Sequence, residues 1–95
     1  MTPLTRDSAE LLAIEALSWL LGDEELLPVF LGSTGASTDD VRERAQDADF
    51  LAAVLDFLLM DDAWITAFCS EKDYGPDLPL RARAALPGGA HVNWT

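Results

Sequence analysis

Three observations predict an all-α fold of about six helices, arranged as two three-helix repeat units packed into one compact pseudo-two-fold domain. Apolar residues recur at helical period through the two longest segments, the chain repeats itself at a fixed offset, and no stretch alternates as a half-buried strand would. The repeat is direct: Leu17, Leu20, Leu21, Asp23 and Phe30 return 38 positions later as Leu55, Leu58, Leu59, Asp61 and Phe68. Trp19, Glu24, Leu26 and Leu27 return conservatively as Phe57, Asp62, Trp64 and Ile65. With one further residue inserted, Val41-Arg42-Glu43-Arg44-Ala45 matches Leu80-Arg81-Ala82-Arg83-Ala84. Two copies are too few for an open solenoid, because each would leave an apolar face uncovered. The expectation is one domain over residues 1–87, with copies at about 9–46 and 47–86, followed by a flexible tail at 88–95.

The first long helix is predicted over about 8–22, where Ala9, Leu12, Ala13, Ala16, Trp19 and Leu20 share one direction at ~100° per residue. Phe50, Leu51, Val54, Phe57 and Leu58 make the equivalent stripe over about 47–60. Each is followed by an acidic break and a shorter apolar helix ending near Leu31 or Cys69. Asp23 and Asp61 stand where N-caps would, and the carboxylates beside them suit a helix start. Pro28 lies too deep in the first of these helices for a cap at Asp23, so that helix should start late or bend, whereas its counterpart Thr66 carries no such penalty. Ser37-Thr38-Asp39-Asp40 supplies a cap and an acidic first turn for a third helix, and Asp77-Leu78-Pro79 opens its counterpart, which should stop before Pro87-Gly88-Gly89.

The net charge of −11, from 17 acidic and 6 basic residues, argues against nucleic-acid binding and against an anionic membrane surface. No apolar run approaches the ~20 residues of a membrane span. Asp7, Glu10 and Glu15 occupy the stretch where an export signal would be basic and then apolar, so a cytoplasmic protein is expected. The single cysteine, Cys69, fits a reducing compartment.

At Ala53-Val54-Leu55-Asp56-Phe57-Leu58-Leu59 followed by Asp61-Asp62, and at Phe30-Leu31 leading to Thr34-Gly35, the chain resembles a family of small alphaproteobacterial proteins described only as a domain of unknown function. The likeness covers about Ser8 to Leu86. It implies a bacterial, all-helical protein and brings no activity, cofactor or catalytic residue with it.

The acidic clusters Asp23-Glu24-Glu25, Asp39-Asp40 and Asp61-Asp62 are contiguous and stand at predicted helix starts, whereas a calcium loop alternates its carboxylates around a glycine. They are expected to cap helices, and no metal or cofactor is expected. Cys69 matches Leu31 in the repeat and is expected to be a small buried apolar group, with His91 and Trp94 distant in the tail. Arg42, Arg44, Arg81 and Arg83 hold four of the six basic residues. Their i,i+2 spacing points each pair to nearly opposite helix faces, a poor phosphate clamp. Local i,i+4 pairs, Asp40 with Arg44 and Asp77 with Arg81, are expected, the alternatives being a bridge to the other copy's acidic break or an acidic partner.

The functional hint is an asymmetry. Leu11, Ile14 and Leu21 lie on the back of the first helix, where the second copy has Asp49, Ala52 and Leu59. Either the short helices cover this face or it meets a partner. The leading expectation is a non-catalytic interaction module for a protein partner with a basic surface. A small enzyme and an acidic regulator mimicking nucleic acid are the alternatives. A monomer is expected, because like charges oppose the homodimer that this face would otherwise favour.

Overall fold

The computed structural model describes residues 4–86, and the expectations for the tail at 88–95, including His91 and Trp94, lie outside the described residues. Among the described residues six α-helices follow in order: α1 Arg6–Leu21, α2 Leu26–Thr34, α3 Thr38–Arg44, α4 Ala48–Leu58, α5 Asp62–Lys72 and α6 Leu78–Ala84. Among the described residues there is no strand. The radius of gyration, 12.6 Å, is that of a compact chain of this length, about 13 Å for 100 residues.

Helix starts follow the sequence closely. The Thr5 hydroxyl accepts the Ser8 amide at the head of α1. Ser37 and Asp40 form a reciprocal box, each side chain accepting the other's amide, at 3.1 and 3.0 Å. Asp61 caps α5, accepting the Ala63 amide at 2.8 Å. Asp23 does not cap α2 directly: its carboxylate accepts from Glu25 and Leu26, and the helix begins only at Leu26. That late start places Pro28 in the first turn, where its missing N–H costs no intrahelical bond. The ends of α2 and α5 also correspond. Gly35 and Asp73, 38 residues apart, both adopt the left-handed conformation, φ 73° and 61°, and donate to Leu31 and Cys69 respectively.

Helix α1 packs along α4, and α6 lies against both; α2 rests on α1 and α4, and α5 on α4. The buried stripe includes Leu12, Ala16 and Leu20 of α1 and their counterparts Phe50, Val54 and Leu58 of α4. Phe30 and Phe68 are fully buried and tie the copies together in reciprocal pairs. Phe68 of the second copy meets Trp19 of the first edge-to-face at 5.8 Å, while Phe30 of the first meets Phe57 of the second at 5.2 Å.

The reciprocity stops at α3 and α6. Matching their Arg-x-Arg motifs pairs Val41 with Leu80, yet Val41 is 4% exposed and Leu80 62%. The undisplaced 38-residue register pairs Val41 with Pro79, and both are buried. The inserted residue therefore aligned letters rather than faces. α6 also buries Ala82, whose small side chain lets the helix lie close to α1 and α4, whereas α3 buries Val41 alone.

Candidate functional site

The back face of α1 remains at the surface. Leu11, Ile14 and Leu21 are 64%, 38% and 45% exposed, so the short helices do not cover it. Leu11 and Ile14 form one wall of a cleft of about 460 Å³, closed by Leu4, Leu12 and, from the other side, Tyr74 and Leu78. Among the described residues, Ser8, Glu15 and the Tyr74 hydroxyl bring the polar groups to its lining. The Tyr74 hydroxyl donates to Glu15 Oε1 at 2.6 Å, linking the loop before α6 to the middle of α1. That bond, by holding the phenol proton, pushes the Tyr74 ionisation up, with burial and the Glu15 charge acting in the same direction. Leu21, further along α1, does not line the cleft.

A second cleft of about 370 Å³ corresponds to the first through the repeat. Four positions of its lining, Phe50, Ala53, Ala36 and Asp40, stand 38 residues from Leu12, Glu15, Tyr74 and Leu78 of the first. Alanines replace the tyrosine and the glutamate, and Asp40, Arg44 and Asp56 give this cleft a charged lining. Sequence reasoning missed Tyr74, Glu15 and Leu78. The available signal was a paired departure within the repeat, Glu15 against Ala53 and Tyr74 against Ala36.

A larger cleft, about 620 Å³, lies where the first acidic break meets the end of α5, lined by Trp19, Asp23, Glu24, Glu25, Glu71 and Lys72 among others. Its carboxylates are mostly exposed, and among the described residues no three His, Cys, Asp or Glu side chains are grouped as metal ligands.

The arginines do not gather into one site. Arg81 lies 3.6 Å from Asp77, the expected local partner. Arg44 instead reaches Asp47 at 3.7 Å and stacks over Phe50, its carbon 5.0 Å from the ring centroid, which fastens α3 to α4. Arg83 donates to Asp56 at 2.6 Å, a bond from α6 to α4 within the second copy rather than to an acidic break of the first. Arg42 is exposed on α3. The Ser37 amide, then its hydroxyl, holds Asp40 below the usual carboxylate range, with Arg44 adding to the effect. Cys69 is buried, and burial pushes its thiol up, with the Asp77 charge contributing.

An all-helical domain with one apolar cleft and a charged counterpart belongs to the general class of small helical bundles. The chain belongs, more narrowly, to the family described as "Protein of unknown function (DUF3572)", whose sequence profile matches residues 6–89. No curated protein and no solved structure matches it. No described helix is long and apolar enough to cross a membrane.

Proposed function

We propose that this chain is a non-catalytic, cytoplasmic protein-interaction module that binds its partner through the α1 face carrying Leu11 and Ile14. One observation carries the reading: Leu11, 64% exposed, stands on the wall of an apolar cleft, whereas its repeat counterpart is the charged Asp49. Contiguous exposed apolar surface on a small domain is a mark of interaction sites. Catalysis finds less support, because carboxylates are engaged in helix starts and the only thiol is buried with a raised ionisation. In this reading the free chain is monomeric, since net charge of −11 on each copy opposes self-association.

The test is capture on the immobilised chain, wild type against Leu11→Glu, with bound proteins eluted along a salt gradient. A partner retained by the wild type, lost with Leu11→Glu and confirmed as a direct binder with purified components supports the module. Direct partners that bind equally to both chains would move the site elsewhere on the molecule.

A further inference from the structure

Resting on that reading, we infer that the cleft between α1 and the start of α6 receives an amphipathic helix of a partner protein, with Lys or Arg flanking its apolar anchors. The groove, about 460 Å³, is lined chiefly by the apolar side chains of Leu4, Leu11, Leu12, Ile14 and Leu78. One wall is α1 and the other is Tyr74, in the preceding loop, with Leu78 at the head of α6, and a helix laid between them presents side chains at i and i+3 or i+4 to the groove.

Charge selects the sign of the flanks. Asp7 and Glu15 stand one turn before and one turn after Leu11 on the same side of α1, and Glu10 one turn before Ile14. The cations of the same two helices are already engaged: Arg6 lies 3.3 Å from Glu10, Arg81 3.6 Å from Asp77 and Arg83 2.6 Å from Asp56. With −11 on the chain as a whole, a cationic segment is drawn toward the cleft and an anionic one repelled. A second copy meets the opposite condition, because a symmetric contact across Leu11 sets Asp7 and Glu15 against the copy's own carboxylates. The segment 88–95 contains neither Lys nor Arg and offers these carboxylates no matching charge.

The experiment titrates the isotope-labelled full chain with three synthetic helices of about 14 residues: an amphipathic Leu/Lys peptide, a same-composition isomer with its leucines scattered, and a Leu/Glu counterpart. The Leu/Lys peptide should shift the amides of Leu11, Ile14, Tyr74 and Leu78, binding about tenfold more tightly than either control and about tenfold more weakly to Leu11→Ser. Equal binding of the scattered isomer reduces the effect to bulk charge and overturns the inference. Equal binding of the Leu/Glu peptide at the same amides overturns the basic partner while leaving the interaction face standing. So does concentration-dependent dimerisation abolished by Leu11→Ser, or a shift of the same amides on deletion of 88–95, which would name a second copy or the tail as occupant. If neither the peptides, nor a second copy, nor that deletion disturbs Leu11 or Ile14, the inference and the interaction reading fail together.

Discussion

Helices α1 and α4 carry the same apolar stripe in different surroundings. Seven of the eleven residues of α4 are buried, against six of the sixteen in α1. At the corresponding back position, Ala52 is 4% exposed and Ile14 38%. α4 occupies the centre, with α1, α2, α5 and α6 packed on it. The third helix of each copy differs as well. Pro79 and Ala82 let α6 settle against both long helices, while α3 surrounds its single buried residue, Val41, with Asp39, Asp40, Arg42 and Glu43. The stripe repeated in the sequence thus makes the core from both long helices, while their outer faces and the short helices differ.

The core half of this comparison is tested most severely at Phe30 and Phe68. Both are fully buried, and each pairs with an aromatic ring of the other copy. Truncation of either to Ala should cost about 3–5 kcal/mol, a large part of the stability of a domain this small. Urea denaturation followed by circular dichroism reads the loss. If one variant remains near wild-type stability, the copies do not share the core evenly.

The short helices separate next. Ala82, 0% exposed, faces the core from α6, while its partner in the Arg-x-Arg alignment, Glu43, is exposed on α3. Ala82→Glu forces an unpaired carboxylate into that contact and should cost about 3 kcal/mol or more. Glu43→Ala should stay within about 0.5 kcal/mol of wild type. Similar thermal shifts for the two would restore the displaced register that burial argues against.

Much of this was legible in the sequence for a physical reason. Periodicity reports burial directly, so Leu12, Ala16 and Leu20, with Phe50, Val54 and Leu58, could be placed inside before any coordinates. Local chemistry was legible as well: the Ser37–Asp40 box needs only a three-residue separation, and Pro28 announces a late start for α2 by its missing N–H. Contacts distant in sequence were not. Glu15 with Tyr74 and Asp56 with Arg83 depend on helix crossing, which composition and period leave open. The Arg-x-Arg alignment misled because two arginines on opposite faces match equally well whichever side is buried.

A finer comparison is available at the left-handed caps. Gly35 carries φ 73° without a Cβ, and Asp73 holds φ 61° with one. Asp73→Gly should raise stability by about 0.5–1 kcal/mol, and Gly35→Asp should lower it by a similar amount. Opposite signs in thermal unfolding confirm that the two positions do the same conformational task. A loss with Asp73→Gly would mean that the aspartate side chain contributes more than its strained backbone costs.

The smallest expected effect reports on the cleft itself. Tyr74 is the only tyrosine of the chain, so tyrosinate absorbance reads this one group. Its hydroxyl donates to Glu15 at 2.6 Å, and its ionisation is raised above the ordinary tyrosine value, principally by that bond. A group with a raised folded value contributes stability below its unfolded value, about 10 for tyrosine, and the contribution fades as pH climbs through the folded one. The folded chain should therefore form tyrosinate at higher pH than the urea-unfolded chain, and Glu15→Ala should remove most of the difference. The second cleft has alanines at both equivalent positions, Ala36 and Ala53, so grafting the pair there as Ala53→Glu with Ala36→Tyr sharpens the comparison. In a Tyr74→Phe background the grafted tyrosine should also titrate late if the two clefts share backbone geometry. Ordinary titration of that grafted tyrosine, with the fold intact, would confine the shared geometry to the buried stripe and leave the α1 cleft without a counterpart in the repeat.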